Sequence, residues 1–156
     1  MEFEVDVSGE DLLSKNYTIC IASKDGEIIK GFKFSEELVN ILSSKYGQGM
    51  YRYPKSAKGK STFKVRLYCV VIYCLLKSLN FNPHQSICLR LCRDFEGREN
   101  DIKENLNHLI EKKLKLELRN QIYFVRLEDT SLAHKYSFLM REDSKNKMET
   151  YVQISL

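Results

Sequence analysis

Three short segments with the two-residue period of a strand come before any long helix, and this order limits the chain to folds that open on a sheet. Phe3-Glu4-Val5-Asp6-Val7 alternates apolar and acidic side chains, so one face can be buried while the other stays polar. Tyr17 to Ala22 is rich in β-branched and aromatic residues. Lys24-Asp25-Gly26-Glu27 then supplies an Asp-Gly pair, a hairpin signal, before the third segment at Ile28–Phe34. With Ser8-Gly9-Glu10-Asp11 as the first turn, the opening predicts a three-stranded antiparallel meander.

The rest of the chain alternates helix and strand patterns. Ser35 followed by Glu36 and Glu37 is a helix start, with Leu38, Val39, Ile41 and Leu42 as the apolar face of a short helix ending near Tyr46-Gly47. Residues 47–62 form the one long irregular stretch, expected as a basic loop. Phe63–Leu79 is the longest helix pattern, apolar nearly all round and so expected to be buried. A strand at Ile87–Arg93, a helix over about Arg98–Leu114, a strand at Gln121–Leu127 and a capped helix containing Leu132, Ala133, Tyr136, Phe138 and Leu139 complete the pattern. A polar tail begins at about residue 142, with Tyr151-Val152-Gln153-Ile154 expected either as a docked strand or as a frayed end. The expected architecture is one α/β domain over residues 1–156, a mixed five-stranded sheet with helices on both faces.

Composition excludes several alternatives. With 43% apolar and 29% charged residues, the chain is globular rather than disordered. Its longest apolar run, Leu67 to Leu76, is short of the roughly 20 residues that span a bilayer, and the acidic start lacks secretory features. A cytoplasmic protein with no membrane partner is expected. Five cysteines, odd in number and without a Cys-x-x-Cys pair, are expected as buried free thiols rather than zinc ligands.

The net charge of +4 is modest, but its distribution is uneven. Arg52, Lys55, Lys58, Lys60, Lys64 and Arg66 are interleaved with Tyr51, Tyr53 and Phe63, and no acid interrupts Lys45 to Leu79. Cations that neutralise phosphates beside rings that stack on bases would suit nucleic acid. A solvated lysine-rich loop is the alternative. Gly59-Lys60-Ser61 does not complete a phosphate-binding loop, because Pro54 stands where the earlier glycine is required.

The order of elements, with Val5-Asp6-Val7-Ser8-Gly9 on the first strand and Asp94 at the end of the fourth, resembles the ribonuclease H-like superfamily. The resemblance covers nearly the whole chain and is topological. It implies a mixed five-stranded sheet whose first three strands are antiparallel, and an aspartate on the first strand, here Asp6. A second acid, Asp94 with Glu96 two residues on, is implied at the end of the fourth strand. A third ligand, Asp129 or His134, is implied at the last helix. Such enzymes hold Mg2+ or Mn2+ between carboxylates to hydrolyse phosphodiesters, which would make Asp6, Asp94 and Asp129 the metal ligands, with Glu96 or His134 as substitutes.

Nucleic acid, DNA or RNA, is then the expected partner, and a homodimer stays open. Phe63–Leu79 carries no acid where ribonucleases H proper carry a glutamate, so a non-catalytic nucleic-acid-binding module and a protein–protein interaction domain remain alternatives. The same residues also have plain structural roles: Asp6 on a polar strand face, Asp94 and Glu96 in a turn, Asp129 at an N-cap and His134 on a helix surface.

Overall fold

Alternation along the first strand decides which way the sheet is buried. In the computed structural model, which describes residues 1–156, β1 (Glu2–Ser8) buries Phe3 and Val5 completely on one face and turns Glu4 and Asp6 to the other. β2 (Thr18–Ser23), buried along its whole length, pairs antiparallel with β1, placing Val5 opposite Ile21 and Asp6 opposite Cys20. β3 (Ile29–Lys33) pairs antiparallel with β2. β4 (Cys88–Leu91) lies parallel to β1 on its other side, and β5 (Ile122–Phe124) parallel to β4. The strand order is β3-β2-β1-β4-β5, so β1 is central and the expected meander is present.

The helices are α1 (Glu36–Gly47), α2 (Ala57–Lys77), α3 (Glu99–Leu106), which continues as a π-helical stretch Asn107–Lys113, and α4 (Leu132–Glu142). Ser35, Ser56 and Ser131 cap α1, α2 and α4 by accepting the N–H groups of Leu38, Gly59 and His134. Val65, Tyr68, Ile72 and Leu75 of α2 join Ile102 and Leu106 of α3 in one core with Phe3, Val5, Ile19, Ile21, Leu89 and Leu91. α4 lies across β1, β2 and β3. Its Asp6–His134 contact puts it on the face opposite that core. Gly31 permits its approach, since a Cβ there would stand 2.5 Å from Met140 Sδ.

One expectation changes and one pair of alternatives is decided. The irregular stretch is shorter than residues 47–62, because α2 begins at Ala57 rather than Phe63. Ser56 supplies the cap, and Gly59 lets the first turn tuck under the Pro54 backbone. The polar tail is docked rather than frayed: Gly31 donates to the Thr150 carbonyl at 2.8 Å and Val152 donates to Gly31 at 2.9 Å. That parallel bridge shields the open edge of β3. All five cysteines are free, and no helix is long and apolar enough to cross a membrane.

The two helical glycines should respond with opposite signs to alanine. Gly47 has open space around its missing Cβ, so Gly47→Ala should stabilise by about 0.4–1 kcal/mol through helix propensity and a less free unfolded chain. At Gly59 a Cβ would collide with the carbonyl of Pro54, and Gly59→Ala should instead destabilise by roughly 1–3 kcal/mol despite the same propensity gain. Urea unfolding of both variants separates the terms; equal shifts would show that α2 does not start under Pro54.

Candidate functional site

Parallel neighbours β1 and β4 release their chains at the same end of the sheet, and crevices form where such chains diverge. After β4 the chain stays paired for one more bond, Cys92 donating to the Val5 carbonyl at 3.0 Å, and then presents Asp94. Tyr17, fully buried beside β2, donates its hydroxyl to Asp94 Oδ2 at 2.7 Å. A polar cleft of about 460 Å³ opens here, its rim formed by Asp11, Lys60, Lys64, Asp94, Glu96 and Arg98 among others. Lys64 donates to Asp11 Oδ2 at 2.8 Å. The Arg98 guanidinium is spread between Asp101 Oδ2, Ser61 Oγ and Thr62 Oγ1, each at 2.8 Å, which fixes its charge at the cleft wall.

Asp6 sits at the same end of β1 but on the α4 face. It is only 7% exposed, and both oxygens are engaged. Oδ1 accepts the Val7 N–H at 2.8 Å, and Oδ2 lies 2.7 Å from His134 Nδ1. A carboxylate can only accept, so this bond requires the proton on Nδ1. His134 Nε2 is then turned outward, 3.9 Å from Oδ1 of the fully exposed Asp129. The pair exists because the pleat points Asp6 at the first turn of α4.

The electrostatics link these groups. Partial burial raises the Asp94 carboxyl above its ordinary value; the Tyr17 hydrogen bond opposes this, and the negative charges of Asp6 and Asp11 add to it. Cys92, between them in the chain's path, has its thiol raised by burial and then by the carboxylates of Asp6 and Asp94. Asp11 is held below the usual range: burial opposes the charged form, but the Lys64 hydrogen bond and the Leu13 N–H outweigh it.

Of the residues singled out by sequence, Asp6, Asp94 and His134 gather at one end of the central strands, and Glu96 joins Asp94 at the cleft. Asp129 reaches only His134, so it does not complete a three-acid set. The basic segment is also rearranged. Tyr51 and Tyr53 pack on Phe63 at 4.9 and 5.6 Å together with Tyr46, and so are wedged into the α1–α2 junction rather than free to stack on bases. Lys58, Lys60, Lys64 and Arg66 belong to α2 instead of a loop, and Arg66 is bound to Asn105. Arg52 and Lys55 remain exposed before it. Asp11, Tyr17 and Arg98 were not legible as site residues. Nothing in their local spacing marks them; only the fold brings them to Asp94.

No protein-family model, curated protein or solved structure matches this chain. For Mg2+ or Mn2+ the fit is limited. No three His, Cys, Asp or Glu side chains stand together as a group able to hold an ion, so a two-ion centre has no donor set. Contrary to the expectation of a shared ion, both Asp6 oxygens are taken up by Val7 and His134 on the α4 face, whereas Asp94 opens with Glu96 to the cleft beside α2, where those two carboxylates suit at most one oxygen-preferring ion that keeps most of its water.

Asp94→Asn should test that field through stability. A carboxyl whose pKa is raised on folding costs stability above that folded value and releases the cost as pH falls through it. The amide keeps an acceptor for Tyr17, so the variant should be more stable than wild type at neutral pH, by less than about 1 kcal/mol at this partly open site. The gain should fade in the acid range as wild-type Asp94 takes up its proton. Denaturant unfolding across pH measures it. A variant less stable at neutral pH would mean that the charged Tyr17–Asp94 bond outweighs burial and repulsion.

Proposed function

We propose that this chain is a ribonuclease H-like domain that acts on nucleic acid, with phosphodiester hydrolysis as its activity. One observation carries the reading: the Asp6–His134 pair and Asp94 stand at the same end of the two central parallel strands, near enough for the Asp6 charge to act on Asp94. The strand order β3-β2-β1-β4-β5 with an antiparallel first half agrees with it.

In this reading one Mg2+ or Mn2+ would be held at the cleft by Asp94 with Glu96, and when bound would supply Lewis-acid charge and a more acidic water. The chain's own groups do the rest. Tyr17 fixes the orientation of Asp94. Asp6 fixes the His134 ring and leaves Nε2 outward, where it can accept or return a proton. Lys64 and Arg98 offer phosphate oxygens fixed positive charge across the cleft. The absence of an acid throughout α2 favours the second reading, a non-catalytic nucleic-acid-binding module on the same fold.

The test is cleavage of labelled single-stranded DNA and RNA with Mg2+ or Mn2+. Asp6→Asn and Asp94→Asn should each lower the rate by about 100-fold or more, the loss of several kcal/mol of charge stabilisation, while oligonucleotide binding survives. Cleavage that both variants retain removes this site from the reaction. Binding without cleavage by wild type selects the non-catalytic module, and absence of binding leaves the interaction-domain alternative.

A further inference from the structure

The α4 face of the sheet is covered unequally. α4 lies over β1, β2 and β3, whereas Arg90 of β4 is partly exposed and Tyr123 of β5 is 48% exposed. Register sets these side chains in a row: Glu4 pairs with Arg90, and Arg90 with Tyr123, all on the face that carries Asp6. A polar cleft of about 430 Å³ runs from this row to the start of α4, with Lys24, Arg90, Arg126 and Ser131 in its wall beside the acids Glu4 and Glu128. Lys24 and Arg90 approach Glu2 at 3.3 and 3.6 Å, but Arg126 is exposed and makes no ion pair.

We propose that this uncovered β4–β5 half of the sheet is a landing surface for single-stranded nucleic acid, with Tyr123 stacking on a base and Arg90 and Arg126 meeting phosphates. The proposal rests on the nucleic-acid reading above and replaces Tyr51 and Tyr53, which are packed away on Phe63. A half-exposed ring flanked by guanidinium groups offers an unstacked base a π-face and its backbone a counter-charge. A duplex would keep its bases stacked and leave the ring unused. Position also favours it. Glu4, in the Arg90 row, is two residues from Asp6, about 6.7 Å along the strand, so a chain lying on Tyr123 and Arg90 has its next nucleotides beside Asp6 and His134. Lys58 and Lys60 begin α2, which packs on the other face, and so are not part of this path.

The chain has no tryptophan, so Tyr123→Trp places a single reporter in the proposed contact. Titration of that variant with a short single-stranded oligonucleotide at low salt should quench its fluorescence saturably. Tyr123→Leu, which keeps an apolar β5 side chain, should weaken binding about tenfold while Tyr123→Phe binds as wild type. Arg126→Ala should lower the slope of log affinity against log salt by about 0.7. The Lys112→Ala/Lys113→Ala pair, exposed at the end of the π-helical stretch, should leave the Trp quenching intact. If wild type binds but the Trp signal is unmoved and both Tyr123→Leu and Arg126→Ala bind normally, the landing surface is wrong and the nucleic-acid reading stands. If wild type binds no oligonucleotide at low salt, both fall together. Should Tyr123→Leu fail to fold, the Trp titration decides alone.

Discussion

The pleat of β1 is the constraint on which both core and site depend. Val5 and Asp6 are adjacent in sequence and must point to opposite faces, so the strand that anchors the hydrophobic core also carries a carboxylate under α4. An ionised carboxylate buried without partners would cost several kcal/mol. Asp6 avoids this cost with two short bonds, one to the N–H of Val7 and one to His134. The second bond exists only while α4 stays close to the sheet. That closeness in turn needs Gly31 under Met140, with Ala133 and Ser137 buried on the inner face of the helix. Site and packing are therefore one structure on this face: loosening α4 would strand a charge.

The cleft side is governed by a different balance. α2 starts with Lys58 and Lys60 and has no acid in its first turn, against the preference of the helix dipole, which disfavours each such cation by about 0.3–1 kcal/mol. Asp11, Asp94 and Glu96 stand across the cleft from that turn and offset the positive charge. The Asp11–Lys64 bond is the one direct pairing, and it holds the Asp11 carboxyl below its usual range. Asp94 has no cation at bonding distance; its fixed partner is the neutral Tyr17 hydroxyl.

Period-two patterns and the Asp-Gly turn made the meander legible, and the capping serines made α1 and α4 legible. Those signals are local and survive folding unchanged. The start of α2 was hidden because Lys58, Gly59 and Lys60 look like loop composition, while the features that make them helical are Ser56 as a cap and the space beneath Pro54. Asp6 and Asp94 could be singled out because each sits at a strand position that topology brings to the same end. Tyr17 and Asp11 could not, since their roles come from contacts 77 and 53 residues away along the chain. The setting of Tyr51 and Tyr53 was hidden for a related reason: alternation of aromatics with cations does not say how much of a ring faces solvent and how much, as in these half-buried rings, lies on Phe63.

On the ribonuclease H-like reading proposed above, the acid that α2 lacks has a structural counterpart. Where α2 borders the cleft it carries Lys60, Ser61 and Lys64, and an acid reaches Lys64 instead from the β1–β2 connection, as Asp11. Positive charge at the cleft is therefore built into the protein: the Lys64 side chain is only 20% exposed and bonded to Asp11, and the Arg98 side chain is only 17% exposed, with three acceptors fixing its guanidinium plane. Charge held in this way needs no reorganisation when an anion arrives and does not vary with ion concentration. A cleft so arranged has less use for a second divalent ion than one lined only by carboxylates, because fixed cations already face the acids. The lack of an acid in α2 and the presence of Lys64 and Arg98 beside Asp94 are then two sides of one charge balance rather than separate departures from the pattern.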